Sequence, residues 1–572
     1  MQDYRAVYTA WCQSPALDED TRAELLALKD EGEIEDRFYR ELEFGTAGMR
    51  GVIGMGLNRM NIHNVRRVTA ALAKFVNAYE GGAERGVVIG YDSRIMSDEF
   101  ARQTALTLAA FGVKAYLFKS LRPVPVLSFS VRHLGCIAGV EITASHNPSQ
   151  YNGYKVYWED GGQLPPPRAA QVTALMEETS FEESVPMDEK EALEKGLLIH
   201  PSSEVDDAYI AEVKKLQVNP ELAREMGKTL KIVYTPLNGT GNIPVRRILK
   251  EIGMENVYVV PEQEQPDGRF PTVKVPNPED KAAFTLAIAL QKELGADLCI
   301  GTDPDCDRVG VACLTETGDV RTLTGNQIGC LLMDYIFSQK KARGELPANA
   351  AAVSSIVSTD MAKAICESYG VTHVEVLTGF KFIAEQIQLF SDTGSHTFMF
   401  GFEESYGFLS GTEVRDKDGV NAVMLIAEAA AYYKKRGMTL ADAVDELGAK
   451  YGYYADHVKS VTFPGKEGGA KMASIMDMLH SEKLESIGGS KVVATRDYLK
   501  DTRTTDEGVT PTGLPRSNVL YYELDGGAWV CVRPSGTEPK IKIYINAVSD
   551  DPEKTRALLD AYARDMDRIL GV

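Results

Sequence analysis

Three stretches of the chain repeat one grammar, and that repeat limits the fold more than any other feature. The first runs from "GVVIGYDSR" through a helical segment to "VKAYLF" and then "GCIAGVEITASHNP". The second runs from "LKIVYTPLNGTG" to "MENVYVV" and "GADLCIGTDPDCDR", and the third from "AAAVSSIVSTDM" to "VTHVEVLTG" and "SHTFMFGFEESYG". Each reads as strand, turn, helix, strand, and later a third apolar strand that ends in a polar loop. Short continuous β-rich runs alternating with helical segments belong to parallel sheets buried on both faces. The repeat therefore predicts three similar α/β domains with mostly parallel mixed sheets, at residues 1–205, 206–325 and 326–450, the first with an N-terminal helical extension. Residues 451–572 break the grammar. There "GYYADHVKSVTFPG", a helix, "GGAWVCVRPSGTEPKIKIYINA" and a last helix from Pro552 predict a C-terminal α+β domain with locally paired strands. Ligands of open α/β sheets gather beyond the C-terminal strand ends, so the loops from Thr143, Thr302 and Gly401 are expected to surround a central cleft.

Composition narrows the partners. A net charge of −20 argues against nucleic acid and anionic membranes, while leaving room for a local basic pocket. The first residues lack the basic and apolar regions of a signal peptide, and no apolar run approaches the ~18–20 residues of a membrane span. "GVNAVMLIAEAAAYY", which ends in Lys-Lys, reads as a buried helix, and a cytoplasmic location is expected. The eight cysteines form no Cys-x-x-Cys pair. Cys299, Cys306 and Cys313 read as small apolar fillers of neighbouring strands, because no further ligand completes a metal set. The acidic run at 176–195 reads as a solvated helical link.

The loops carry the chemistry. In "GTDPDCDRVG", Asp303, Asp305 and Asp307 alternate, and in an extended segment such residues point the same way. Three like charges repel unless a cation sits among them, and hard oxygen ligands suit Mg²⁺ or Ca²⁺. An EF-hand loop needs Gly at its sixth position and Glu at its twelfth, where this chain has Arg308 and Leu314, so Mg²⁺ is favoured. In "TASHNPSQYNGYK", Ser145 is a hydroxyl nucleophile with His146 beside it, and the Asn-Pro and Asn-Gly pairs read as turns that bring Lys155 back toward it. Taken alone, Ser145 has an equally ordinary reading as a helix cap. No Gly-x-Ser-x-Gly elbow supports hydrolase chemistry. "GFEESYG" groups Glu403, Glu404 and Ser405, acceptors suited to sugar hydroxyls, although a solvated acidic turn has the same composition. "RPSGTEPKIK" offers Arg533, Ser535, Gly536, Thr537 and Lys540, a mix that fits a phosphate dianion or, more plainly, a turn between two strands. "EFGTAGMRG" places Arg50 after glycine-rich turn positions, and "TGFKF" places Lys381 beyond a strand. Nucleophile, metal site, sugar clamp and phosphate anchor together fit phosphoryl transfer on a phosphorylated sugar.

These four loops, in this order over residues 43 to 545, resemble the α-D-phosphohexomutase family. The resemblance implies that Ser145 is phosphorylated, and that Asp303, Asp305, Asp307 and a phosphoserine oxygen on Ser145 hold Mg²⁺. It implies that Arg50, His146, Lys155 and Arg308 surround the moving phosphoryl group, with His146 and Lys155 handling protons. Glu403 and Ser405 would hold sugar hydroxyls, Lys381 would add a substrate contact, and Arg533, Ser535, Gly536 and Thr537 would grip the non-reacting phosphate. The implied reaction interconverts glucose 1-phosphate and glucose 6-phosphate, with glucose 1,6-bisphosphate as intermediate and activator. Mannose-using relatives tend toward a Gly-Glu-x-Ser-Gly-His loop, whereas this chain has Tyr406 and no His there, closer to glucose-type members. Its length also resembles the branch that includes phosphopentomutases, which leaves pentose phosphates open. A non-catalytic phosphosugar-binding homologue would be expected to lose Ser145 or the Asp triplet, and both are present. A Mg-dependent phosphatase would have to admit water where a mutase excludes it. Small phosphosugars are the expected partners, and the chain is expected to be a monomer or weak homo-oligomer.

Overall fold

The computed structural model describes residues 3–14, 17–45, 48–315, 317–463, 468–535 and 540–571. Three helices open the chain: α1 (Tyr4–Gln13), α2 (Glu19–Ala27) and α3 (Glu31–Phe38). Each starts where an aspartate, Asp3, Asp18 or Asp30, turns its carboxylate onto the first free backbone N–H groups. Trp11, Leu17, Leu25, Ile34, Phe38 and Leu57 pack into a small core of their own.

The first repeat builds a six-stranded sheet from β1 (Gly48–Val52), β2 (Val87–Tyr91), β3 (Ala115–Leu117), β4 (Ala138–Ile142), β5 (Tyr151–Trp158) and β6 (Leu198–Ile199), in the order β1-β5-β4-β2-β3-β6. The expected parallel core is present: β2 pairs in parallel with β3 and β4. β5 returns antiparallel between β4 and β1. The second repeat gives β7 (Lys231–Thr235), β8 (Asn256–Val259), β9 (Leu298–Thr302), β10 (Val309–Leu314) and β11 (Val320–Leu323), ordered β11-β10-β9-β7-β8. Again β7, β8 and β9 are parallel, and β10 turns back antiparallel to β9. In the third repeat β12 (Ala350–Ser355) pairs in parallel with β13 (Thr372–Val376), and β14 (Thr397–Glu403) and β15 (Gly407–Leu409) follow. The C-terminal region is α+β as expected. Its antiparallel sheet carries the helices Gly468–Ser481 and Pro552–Leu570 on one face, through Ile475, Met476, Leu479, Tyr562 and Met566. Its other face buries Tyr498, Tyr521, Trp529 and Tyr544 against Ile356, Val357 and Leu377 of the third repeat.

Contacts gather the chain into two compact units, residues 1–324 with 384–400 and 405–439, and residues 325–383 with 401–404 and 440–572. The expected buried helix over "GVNAVMLIAEAAAYY" is Gly419–Lys435. The acidic link is less regular than a single helix: the helix Pro166–Glu177 ends within it and a short helix, Glu189–Glu194, begins after a break that buries Thr179 and Ser184. Cys299 and Cys313 do lie on neighbouring strands, β9 and β10, but Cys306 sits in the loop between them with φ 53°.

The helical extension is joined to the first sheet through α4 (Ile62–Asn77), where His63 is buried with Nε2 3.2 Å from Thr21 Oγ1 and 3.7 Å from Asp18 Oδ2. Burial, with help from the Arg66 charge, pushes this imidazole down from 6.5 to about 4. The folded chain therefore keeps His63 neutral while the unfolded chain takes up a proton below pH 6.5. Stability tied to His63 is full above pH 6.5 and is lost as pH falls toward 4, at about 1.4 kcal/mol per pH unit. A His63→Gln variant is expected to lose less stability than the parent between pH 6.5 and 4.5, measured by urea unfolding at each pH.

Candidate active site

Loops beyond β4 and β9 meet within the first unit. Ser145 follows β4 with φ 52°, a left-handed conformation that a non-glycine residue adopts only under constraint. Its N–H is held by Thr143 Oγ1 at 2.8 Å. Ser145 is nearly buried, and its Oγ lies 3.1 Å from Asp303 Oδ2 and 3.1 Å from His146 Nδ1. The Asn-Pro turn forms, with Tyr151 N–H donating to Pro148 O at 3.1 Å. The Asn152-Gly153 pair does not turn. Both residues lie inside β5, because a Cβ at position 153 would stand 2.5 Å from Thr143 O and only glycine lets the strands approach. The hairpin, rather than that second turn, brings Lys155 to the site. Arg50 lies in β1 opposite Gly153, and its Nη1 donates to Asn147 Oδ1 at 3.1 Å.

Asp303, Asp305 and Asp307 each offer a carboxylate oxygen, all within 4.8 Å of one another, and all three residues are buried. Their convergence comes from a tight turn rather than from an extended strand: Cys306 N–H donates to Asp303 O at 2.9 Å, and Asp303 Oδ1 accepts from the N–H groups of Asp307 and Arg308 at 3.1 and 3.0 Å. Three elements grip this turn. Val124 N–H donates to Asp305 O at 3.0 Å, Thr240 N–H and Oγ1–H donate to Pro304 O at 2.8 and 2.9 Å, and Gly419 N–H donates to Cys306 O at 3.1 Å. The "LNGTG" turn, which the sequence marks only as a strand-to-helix connection, thus shapes the acidic loop. A Cβ at position 239 would stand 2.4 Å from Pro304 Cα.

Charge decides protonation here. Lys155 Nζ is 2.8 Å from Asp305 Oδ2 and 3.5 Å from Asp307 Oδ2, and Lys417 Nζ is 3.2 Å from Asp307 Oδ2. Arg308 pairs with Glu279 and stands 3.9 Å from Asp307 Oδ1. Burial alone would raise the Asp307 carboxyl, but Lys417, Lys155 and Arg308 outweigh it and hold Asp307 ionised. Burial, then repulsion from Asp305 and Asp307, pushes Asp303 well up. Burial opposes the Lys155 charge, yet the two aspartates overcome it and raise its pKa. His146 goes the other way: burial, then Arg308 and Arg50, keep it neutral. Asp305 Oδ1 and Asp307 Oδ1 are buried without a hydrogen-bond partner among the described residues. Orphaned carboxylate oxygens beside each other, all hard donors, fit a divalent cation. Lys417 has little to mark it in the sequence. The only signal for it was "RDKDG", where a lysine lies between two aspartates ahead of a buried helix.

The second unit carries Glu403, Glu404, Lys381, Arg533 and Ser535. Glu403 ends β14 and its Oε1 accepts from Gly379 N–H at 2.7 Å, while Glu404 Oε2 accepts from Ser355 Oγ at 3.1 Å. Lys381 sits in the first turn of the helix Phe380–Thr393, its Nζ 5.3 Å from the Phe382 ring centroid. Arg533 is on the strand Trp529–Pro534, and Ser535 N–H donates to Lys540 O at 2.7 Å. Gly536 and Thr537 lie outside the described residues. Ser405 belongs to the first unit and is half-buried.

The fold and site together define a class, and comparison with known proteins agrees. The four Phosphoglucomutase/phosphomannomutase models match in order: alpha/beta/alpha domain I at residues 41–183, domain II at 207–316, domain III at 324–451 and the C-terminal domain at 488–563. A phosphoglucomutase from Staphylococcus epidermidis is 38% identical over 536 residues, covering 93% of this chain and 96% of that one. One from Staphylococcus haemolyticus is 37% identical over 522 residues, covering 91% and 93%. Among solved structures, a phosphoglucomutase/phosphomannomutase family protein from Burkholderia thailandensis has a TM-score of 0.64 at 19% identity, covering 92% of this chain and 97% of that one. The open form of parafusin, a phosphoglucomutase from Paramecium, has a TM-score of 0.66 at 17% identity, covering 93% and 95%. The chain belongs to the phosphoglucomutase/phosphomannomutase family, the α-D-phosphohexomutases.

One buried group stands apart from this charge balance. Glu141, on β4, is fully buried and neither carboxylate oxygen has a partner among the described residues; Gly90 leaves the room it occupies. Burial, then the fields of Asp92 and Asp305, hold its carboxyl protonated well above the ordinary 4.5. Its contribution to stability is present below pH 4.5 and is lost as pH rises through the raised value, because the unfolded chain releases the proton first. Glu141→Gln, which never titrates, is expected to stabilise the protein by on the order of 1 kcal/mol near neutral pH. In thermal unfolding the advantage should shrink as pH falls to 4.5.

Proposed function

We propose that the chain is a phosphoglucomutase, interconverting glucose 1-phosphate and glucose 6-phosphate through a phosphoserine at Ser145 and glucose 1,6-bisphosphate. The observation that carries this proposal is the seating of Ser145 Oγ against Asp303 in the acidic cluster, 3.1 Å apart. The phosphoglucomutase relatives, aligned over nearly the whole chain, support glucose as the sugar.

In each half-reaction the bond from Ser145 Oγ to phosphorus breaks as the bond from a sugar oxygen forms, or the reverse. One proton must leave the attacking hydroxyl and one must reach the departing oxygen. When Ser145 attacks, neutral His146, with Nδ1 3.1 Å from Ser145 Oγ, takes the proton, and when Ser145 departs the same nitrogen returns it. Lys155, held protonated by Asp305 and Asp307, gives its proton to the departing sugar oxygen and regains one from the sugar hydroxyl that attacks in the opposite half-reaction. Arg50 and Arg308 supply fixed positive charge for the phosphoryl oxygens. Asp303, Asp305 and Asp307, with a phosphoserine oxygen, would hold Mg²⁺, which when bound neutralises charge on the transferring group. Glu403 and Ser405 take sugar hydroxyls, Lys381 adds a contact, and Arg533, Ser535, Gly536 and Thr537 take the distal phosphate. We place the domain boundaries near 205, 325 and 450. We further propose a cytoplasmic monomer or weak homo-oligomer with phosphosugar partners. No helix among the described residues is long and apolar enough to cross a membrane.

Incubation with glucose 1,6-bisphosphate should add one phosphoryl mass to the intact protein, mapped to Ser145, and Ser145→Ala should lower kcat by more than about 10³-fold. Activity surviving in Ser145→Ala at the parental rate would end the phosphoenzyme scheme. A kcat/KM for ribose 1-phosphate equal to or above that for glucose 1-phosphate would replace it with a phosphopentomutase. For the metal, Mg²⁺ at about 100 times its Kd should add about 2.7 kcal/mol to stability. Asp305→Asn should erase that gain in thermal unfolding of the chelator-treated protein.

A further inference from the structure

Asp92 and Arg94 come from "GYDSR", the turn after β2, and have no part in the scheme above. The Arg94 side chain is wholly buried and donates to four backbone carbonyls of one loop, those of Ser145, Asn147, Pro148 and Tyr151, at 2.5–3.0 Å. Asp92 acts on the same loop from the other side. Its Oδ2 accepts from Thr143 Oγ1 at 2.6 Å, and that hydroxyl in turn accepts from Ser145 N–H. The carboxylate stands 3.3 Å from Arg94 Nε and also accepts from Ser97 Oγ at 2.8 Å. Asn152 Nδ2, on β5, closes the ring by donating to Ser97 Oγ and Ile95 O.

Together these bonds fix the backbone on both sides of Ser145. A left-handed non-glycine residue persists only when its surroundings over-determine it, and here the constraint is a single buried ion pair. Only a guanidinium can do this job: its planar fork carries five N–H donors, whereas an ammonium carries three on one atom. The second α/β domain reaches the same pair. Arg94 lies over the Phe270 ring, 5.1 Å from its centroid, and the loop around Phe270 presses so close that a Cβ at Gly268 would stand 2.5 Å from Ile95 N.

We propose that Asp92 and Arg94 are positioning residues for the transfer step, and that Phe270 seats Arg94 so that the Ser145 loop is in register with the Asp303 loop only while the first two α/β domains are packed together. The proposal rests on Ser145 being the phosphoryl carrier. Arg94→Ala is expected to lower both kcat and the rate of phosphoserine formation from glucose 1,6-bisphosphate by about 10²-fold, the cost of roughly an ångström of misplacement, with KM for glucose 1-phosphate within about threefold of the parent. Free guanidinium ion at millimolar concentration should restore about tenfold of the lost kcat, since it fits the vacated planar site, and Arg94→Lys should show no such recovery. A kcat within about threefold of the parent, or a loss that guanidinium leaves untouched, overturns the proposal. If Arg94→Ala does not fold, Phe270→Leu carries the test: a loss of about fivefold in kcat at constant KM supports it, and an unchanged kcat overturns it. Ser145→Ala separates the two ideas. If it stays active the carrier assignment fails, and if it is inactive while Arg94→Ala is normal only the positioning role fails.

Discussion

Three buried carboxylates on one short turn are the constraint around which the first unit is arranged. Left alone, Asp303, Asp305 and Asp307 would repel one another in a site that water does not reach. The fold answers with cations drawn from separate segments: Lys155 from the hairpin strand β5, Lys417 from the run before the helix Gly419–Lys435, and Arg308 from the turn itself. Breaking a buried pair by removing one partner is far more costly than an exposed one, so each of these segments is committed to its place by charge as well as by packing. The same balance sets protonation: an ionised Asp307, a charged Lys155 and a neutral His146 follow from who stands next to whom.

Much of this was legible in the sequence because strand ends and punctuation are local. The three-fold strand–helix grammar, the α+β tail and the buried helix over 419–435 all follow from period and propensity. The acidic loop was legible too, as a cluster able to hold a cation, although its oxygens are gathered by a different geometry. Alternation suggested an extended strand, while the turn at Cys306 does the gathering. The Asn152-Gly153 pair misled for a related reason. Turn propensity marks a glycine as a bend, yet here the missing side chain serves close strand approach against Thr143.

What stayed hidden depends on contacts between distant segments. Lys417 looks like one of many charges until the fold sets it against Asp307. Asp92 and Arg94 read as a polar turn after a strand, since nothing local shows that a carbonyl-rich loop some fifty residues on will close over the guanidinium. Glu141 is the reverse case: an acid inside an apolar strand, visible in the sequence as an oddity, whose neutral state only burial explains.

The seam between the C-terminal sheet and the third repeat has a consequence for size discrimination. Tyr498, Tyr521, Trp529 and Tyr544 are wedged against Ile356, Val357 and Leu377, so the turns after β12 and β13 and the strand that bears Arg533 belong to one packed body. In the proposed scheme Lys381, four residues beyond Leu377, and Arg533 both meet the substrate, and the span between them is then a ruler cut in aromatic side chains. Under that scheme the length a sugar phosphate must span is set by those four rings, and repacking them would change it.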